Sequence, residues 1–142
     1  QIPASGAGCL CEIAAGTLQP ELKTESLWYV AMGSGQSIAD PFLGFIREVF
    51  WEKGLPTVSE GIFAVTWTIA QAIKLNPGGD NGPMPIATLS IGTGGKLSAR
   101  QLDQAEIEQH EGSVEGAVEH LRGYRDILSG QNTAAATPIP KA

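Results

Sequence analysis

Two neighbouring stretches of this chain have helical spacing yet are apolar nearly all round, and this restricts the fold more than any other feature. The first, over residues 38–53, carries Ile38, Phe42, Leu43, Phe45, Ile46, Val49, Phe50 and Trp51. The second, over residues 58–75, carries Ile62, Phe63, Val65, Trp67, Ile69, Ala70, Ala72 and Ile73. A helix on a protein surface keeps one polar face. Two consecutive helices without one are expected to be covered on both sides, by a sheet and by a further layer or a partner subunit. The isolated chain is accordingly expected to self-associate through them.

Local signals bound both helices. Ser37 or Asp40 can cap the first, Pro41 suits a first turn, and Gly54 is a terminator. Thr57 and Glu60 stand at capping-box spacing before the second. The flanking segments read as strands. Residues 9–16 are a short apolar run closed by glycine, and residues 26–32 are aromatic and β-branched enough for a buried strand. Residues 17–25 read as a connection or hairpin loop. Residues 76–85 are rich in glycine, asparagine and proline and read as a loop. Residues 86–92 form a third strand, closed by a turn at Thr93-Gly94-Gly95-Lys96. Two amphipathic helices, 97–111 and 113–128, are expected to follow, separated by Gly112. The resulting class is α+β, a helical pair on one face of an antiparallel sheet. A single domain over residues 1–128 and a flexible tail over 129–142 complete the organisation.

Composition excludes several function classes. With 42% hydrophobic and 17% charged residues the chain is globular. Its net charge of −6 argues against a nucleic-acid partner, because phosphate binding draws on Lys and Arg. No apolar run reaches the roughly 20 residues of a membrane helix, so no membrane partner is expected. Cys9 and Cys11 are too close for an unstrained bridge and lack zinc-spaced partners. Two free thiols fit a reducing compartment, and a cytoplasmic location is expected.

Few residues carry candidate chemistry. Gly33-Ser34-Gly35 can be a sharp strand-to-helix turn in which glycine permits positive φ. It can equally present backbone N–H groups at a helix start to a developing oxyanion, with Ser34 in a proton network. Thr93-Gly94-Gly95-Lys96 lacks phosphate-loop spacing and reads as a hairpin turn. Glu106, Glu108, His110 and Glu111 read as a solvated helix face, and Trp28, Trp51 and Trp67 as core. No metal and no cofactor is expected.

The longer context of Gly33-Ser34-Gly35 carries a family likeness. An apolar aromatic strand leads into Met32-Gly33-Ser34-Gly35, and a helix with Ala39, Leu43 and Phe45 follows. A second helix runs from Ser59-Glu60-Gly61-Ile62 to Ala70-Gln71-Ala72-Ile73, and a Gly/Asp/Pro loop then reaches a strand beginning Ile86-Ala87. This order, over roughly residues 10–92, resembles the C-terminal half of proteasome-type N-terminal-nucleophile hydrolase subunits. Residues 97–142 are similar only as a generic helical tail. The resemblance implies a four-layer αββα sandwich, assembled with other copies or related subunits into a ring-like homo- or hetero-oligomer. It also implies threonine-type hydrolysis of peptide substrates. In active family members an N-terminal threonine is the nucleophile, its own amine or a nearby lysine manages the proton, and the Gly-Ser-Gly serine supports it. Carried onto this chain, Ser34 is the supporting serine and the Gly35 backbone N–H lies beside it. The family's loop aspartate and serine fall nearest Asn76 and Gly79, or on Asp80 if the loop shifts. The nucleophile belongs to a first half not contained in these 142 residues, so this chain alone is expected to be inactive. The alternatives are a non-catalytic ring-forming relative or an unrelated α+β binding domain.

Overall fold

The structure, a computed structural model, describes residues 10–13, 16, 18–24, 27–52, 54–76 and 83–130. A first hairpin pairs β1 (Cys11–Ile13) with β2 (Pro20–Leu22) in antiparallel register. Helices α1 (Gln36–Phe50) and α2 (Val58–Leu75) follow. A second hairpin then pairs β3 (Ala87–Ile91) with β4 (Leu97–Gln101) across a 3-10 turn at Thr93–Gly95. The described chain closes with α3 (Gln104–Leu128). The class is α+β, with three helices and two separate two-stranded sheets among the described residues.

The centre is the α1–α2 pair. The Cβ that Gly35 lacks would stand 3.4 Å from the Ala72 Cβ, and Phe50 lies 5.7 Å ring to ring from Phe63. The start of α1 therefore meets the end of α2, and the helices are antiparallel. Ile46 and Trp67 are 0% and 3% exposed, and with Leu43, Trp51, Ala64 and Val114 they form the main core. Edge-to-face contacts lock the aromatic rings, Phe42 against Trp67 at 5.6 Å and Phe63 against Trp67 at 5.5 Å. Trp28 meets Trp51 at 5.9 Å. The tryptophans thus pack on one another and on phenylalanines, as expected of core residues. A smaller cluster of Ile86, Leu102 and Ile107 seats the second hairpin and the first turns of α3.

Several sequence expectations are corrected. Residues 97–111 are not one helix. Residues 97–101 complete the second hairpin, and α3 starts only after Asp103. Its capping box explains the boundary: the Glu106 N–H donates to Asp103 Oδ1 (2.9 Å) and the Asp103 N–H to Glu106 Oε2 (3.0 Å). Gly112 does not break α3, because about 1 kcal/mol of lost propensity is small beside the packing of a long helix. Residues 17–25 are more than a connection, since β2 lies within them. Trp28 to Met32 are assigned to no strand among the described residues, and only an isolated Thr24–Leu27 bridge precedes them. The expected single sheet under the helix pair is therefore two hairpins. Neither Ser37 nor Asp40 caps α1, whose N-cap is Gly35 without a side-chain bond, and Pro41 falls in its second turn. The helix stops at Phe50, short of Gly54. The Thr57–Glu60 capping box forms as read. Of the expected tail, residues 131–142 lie outside the described residues.

No helix among the described residues is long and apolar enough to cross a membrane. Truncating Trp67→Ala should cost about 3–5 kcal/mol in chemical denaturation, since the ring is the hub of the core. Two carboxylates also set an acid sensitivity. Glu106 is held below the ordinary carboxylate range first by the Arg100 guanidinium (2.6 Å), and Glu60 first by the Thr57 backbone N–H. A carboxyl depressed in the folded state stabilises the fold above its unfolded pKa of about 4.3, and that contribution is lost as pH falls through the folded value. Thermal midpoints should therefore drop as pH falls through and below the carboxylate range, and Glu106→Gln should show a smaller drop than the wild type.

Candidate functional site

The Gly-Ser-Gly segment is where an extended chain turns into α1. Gly33 has φ +93°, a left-handed conformation that side chains resist, whereas Gly35 has an ordinary φ of −87°. The Gly33 carbonyl accepts from the Gln36 N–H at 3.1 Å, and the Gly35 carbonyl accepts from Ile38 and Ala39 at 3.0 and 2.9 Å. Ser34 lies between these glycines, exposed at the N-terminal end of α1. With the Gln36, Ile38 and Ala39 N–H groups so bonded, what acts on Ser34 is the helix dipole, whose field at this end favours negative charge.

A residue not assigned to this role from the sequence secures the junction. Asp40, one turn into α1, accepts the Ala31 backbone N–H at 3.1 Å and the Gln36 amide at 3.1 Å. It ties the extended segment to the helix start and limits how far Ser34 can move. The sequence signal was present, because Asp40 stands where a cap was sought, but its acceptor work is directed back along the chain.

Beneath the junction is an apolar pocket of about 290 Å³ bounded by Val30, Met32, Gly35, Ala39, Ile69 and Ala72. The close passage of Gly35 over Ala72 forms one wall. A second pocket of about 250 Å³ lies between Glu12, Lys23, Leu27, Tyr29, Val30 and Asp40. Lys23 is well covered there, its side chain 6% exposed, and bonds Glu12 at 2.7 Å and Glu21 at 2.9 Å. Those bonds, to Glu12 first and Glu21 next, push its pKa up. A lysine held protonated in this way is a poor base or nucleophile near neutral pH.

The remaining sequence candidates are dispersed. Asn76 ends α2, its N–H bonded to the Ala72 carbonyl, while Gly79 and Asp80 lie outside the described residues. The structure thus places Ser34 and Gly35 at the start of α1, with Asp40 one turn further on and bonded to Ala31 and Gln36. Thr93–Gly95 is a tight turn with Gly94 and Gly95 at φ +81° and +77°. Glu106 is committed to Arg100, and Glu108 accepts from Gln104. No group of three or more metal-ligating side chains forms among the described residues. Cys11 is a free, exposed thiol, and Cys9 lies outside the described residues.

No protein-family model, curated protein or solved structure matches this chain.

Gly33→Ala should lower stability by about 1–2 kcal/mol in denaturant titrations, the cost of a side chain at left-handed φ. Gly35→Ala should cost clearly less, since its φ is ordinary and the added methyl only reaches contact with Ala72. Equal losses would show that the junction's conformation is not what Gly33 provides.

Proposed function

We propose that this chain is the C-terminal part of a proteasome-type N-terminal-nucleophile hydrolase subunit. In this reading the complete subunit cleaves peptide bonds in a cytoplasmic, ring-like assembly. The nucleophile comes from a part of the protein outside these 142 residues. Ser34 supports it, and the N–H groups at the start of α1, Gly35's among them, face the developing oxyanion.

The observation that carries the reading is the junction itself. An aromatic segment outside any strand ends at a left-handed glycine, an exposed serine follows, and the helix begins at once on an antiparallel pair. A second feature supports it. A groove of about 550 Å³ runs over α2, between residues 28–30 on one bank and residues 85–89 on the other. None of its lining residues is charged. β3 uses one edge for β4 and leaves the other without a ladder partner among the described residues. Trp28 to Val30 likewise have none. Backbone that is extended, apolar-flanked and unpaired favours further strands, as a complete sandwich supplies.

The second reading is a non-catalytic, ring-forming relative that keeps the fold without the reaction. The longer protein containing this chain separates the two. If it is processed to an N-terminal threonine, serine or cysteine, it should hydrolyse fluorogenic peptides. Ser34→Ala should then lower kcat by about 10²-fold or more while the assembly persists. Absence of such a residue, with intact rings, would favour the scaffold. This chain alone should be inert, and turnover by it that Ser34→Ala abolishes would contradict the proposal.

A further inference from the structure

Strand β3 has one edge in use and one free. The Leu102 N–H donates to the Ile86 carbonyl and the Gly92 N–H to the Lys96 carbonyl, each at 2.8 Å. Bonded pairs alternate along an antiparallel ladder. Thr88 opposite Arg100 and Ser90 opposite Ser98 are therefore the bonded pairs between these two, and they face β4. Ala87, Leu89 and Ile91 turn their N–H and C=O groups the other way. Those groups have no hydrogen-bond partner among the described residues. β3 also lacks the usual protection of an open edge. It holds no charged residue and no proline, and Leu89 and Ile91 are 67% and 47% exposed.

This strand borders the groove of about 550 Å³ over α2. Residues 87–89 of β3 line the groove and no residue of β4 does, so it lies on the side of β3 away from β4. Residues 28–30 close the opposite side, and Val58, Gly61, Ile62 and Val65 form the floor. One strand residue fills about 160 Å³, from a rise of about 3.3 Å, a strand spacing of about 4.8 Å and a sheet depth of about 10 Å. On that measure the groove holds about three to four residues of a single strand.

We propose that the groove captures one extended, uncharged segment of another polypeptide, which adds to β3 as a third strand. Three observations select this occupant. The outward groups of Ala87, Leu89 and Ile91 repeat every second residue, a spacing that an extended backbone matches and a helix does not. The lining is uncharged throughout, which disfavours a charged side chain facing α2. The shape excludes the β3 edge of a second copy, because that strand carries β4 on its far side, where residues 28–30 stand. This inference does not rest on the hydrolase reading, since it needs neither Ser34 nor a nucleophile.

Amide exchange followed by nuclear magnetic resonance tests it, using the full 142-residue chain and the capped peptide acetyl-Thr-Val-Thr-Val-Thr-amide. In the free chain the Ala87, Leu89 and Ile91 amides should exchange fast and those of Thr88 and Ser90 slowly. With peptide at about ten times its Kd, the first three should slow ~tenfold and the other two should stay as they were. The fully N-methylated peptide, more apolar but without donors, should not bind. Replacing both valines by glutamate should weaken binding by ~tenfold or more. Leu89→Pro deletes an outward N–H and no bond to β4. It should weaken binding by ~tenfold while Thr88 and Ser90 remain protected. No slowing at millimolar peptide would overturn the proposal, as would undiminished binding of the N-methylated peptide. Slow exchange at Ala87, Leu89 and Ile91 in the dilute free chain would also overturn it, meaning that the chain's own residues already fill the groove. Slowing that grows with chain concentration alone would assign the groove to a second copy and overturn it likewise.

Discussion

The packing of α1 against α2 is the interaction on which the rest of this structure depends. Ile46 and Trp67 are nearly without solvent contact, and the rings of Phe42, Phe50 and Phe63 surround Trp67. Each fully buried side chain of this size contributes about 1.5–3 kcal/mol, a large share of the 5–15 kcal/mol typical of a domain. The two hairpins, of three and five residues per strand, are too small to stand alone in water. The second acquires order by resting on the helices through Ile86, Leu102 and Ile107. The position of Ser34 is a consequence of the same packing, because Gly35 must pass close to Ala72 for the helices to meet.

The helix pair was legible in the sequence because its signals are local. Apolar spacing and the Thr57–Glu60 box both act within a few residues. The errors arose where the deciding contact was distant or two signals competed. Residues 97–101 have enough helix-forming residues to pass as a helix. The pairing of Leu97 with Ile91 and the capping pair Asp103–Glu106 decide otherwise. Gly112 looked like a boundary because propensity was weighed without the packing on either side. At residues 28–32 the composition indicated a buried strand, but Trp28 to Ala31 are only partly buried, Met32 is exposed and no ladder forms, because a ladder requires a partner strand that composition cannot supply.

At the candidate site the turn glycines were legible and the clamp was not. Positive φ at Gly33 follows from the demand for a sharp turn, which sequence can anticipate. Asp40 was sought as a helix cap, and its actual bond to the Ala31 N–H depends on a chain reversal that only the fold creates. The groove between residues 28–30 and β3 was invisible to the sequence for the same reason, since its two banks are more than fifty residues apart. These features leave the α1–α2 pair with a groove and an unpaired β3 edge among the described residues.

Hydrogen–deuterium exchange of this chain, resolved to short peptides, tests that view most directly. The slowest exchange is expected in the middle of α1 and α2, and fast exchange at Trp28 to Val30, whose backbone lacks ladder partners among the described residues. Protection of residues 28–30 equal to that of α2 would contradict it, because those N–H groups would then already be paired and the helix layer already covered.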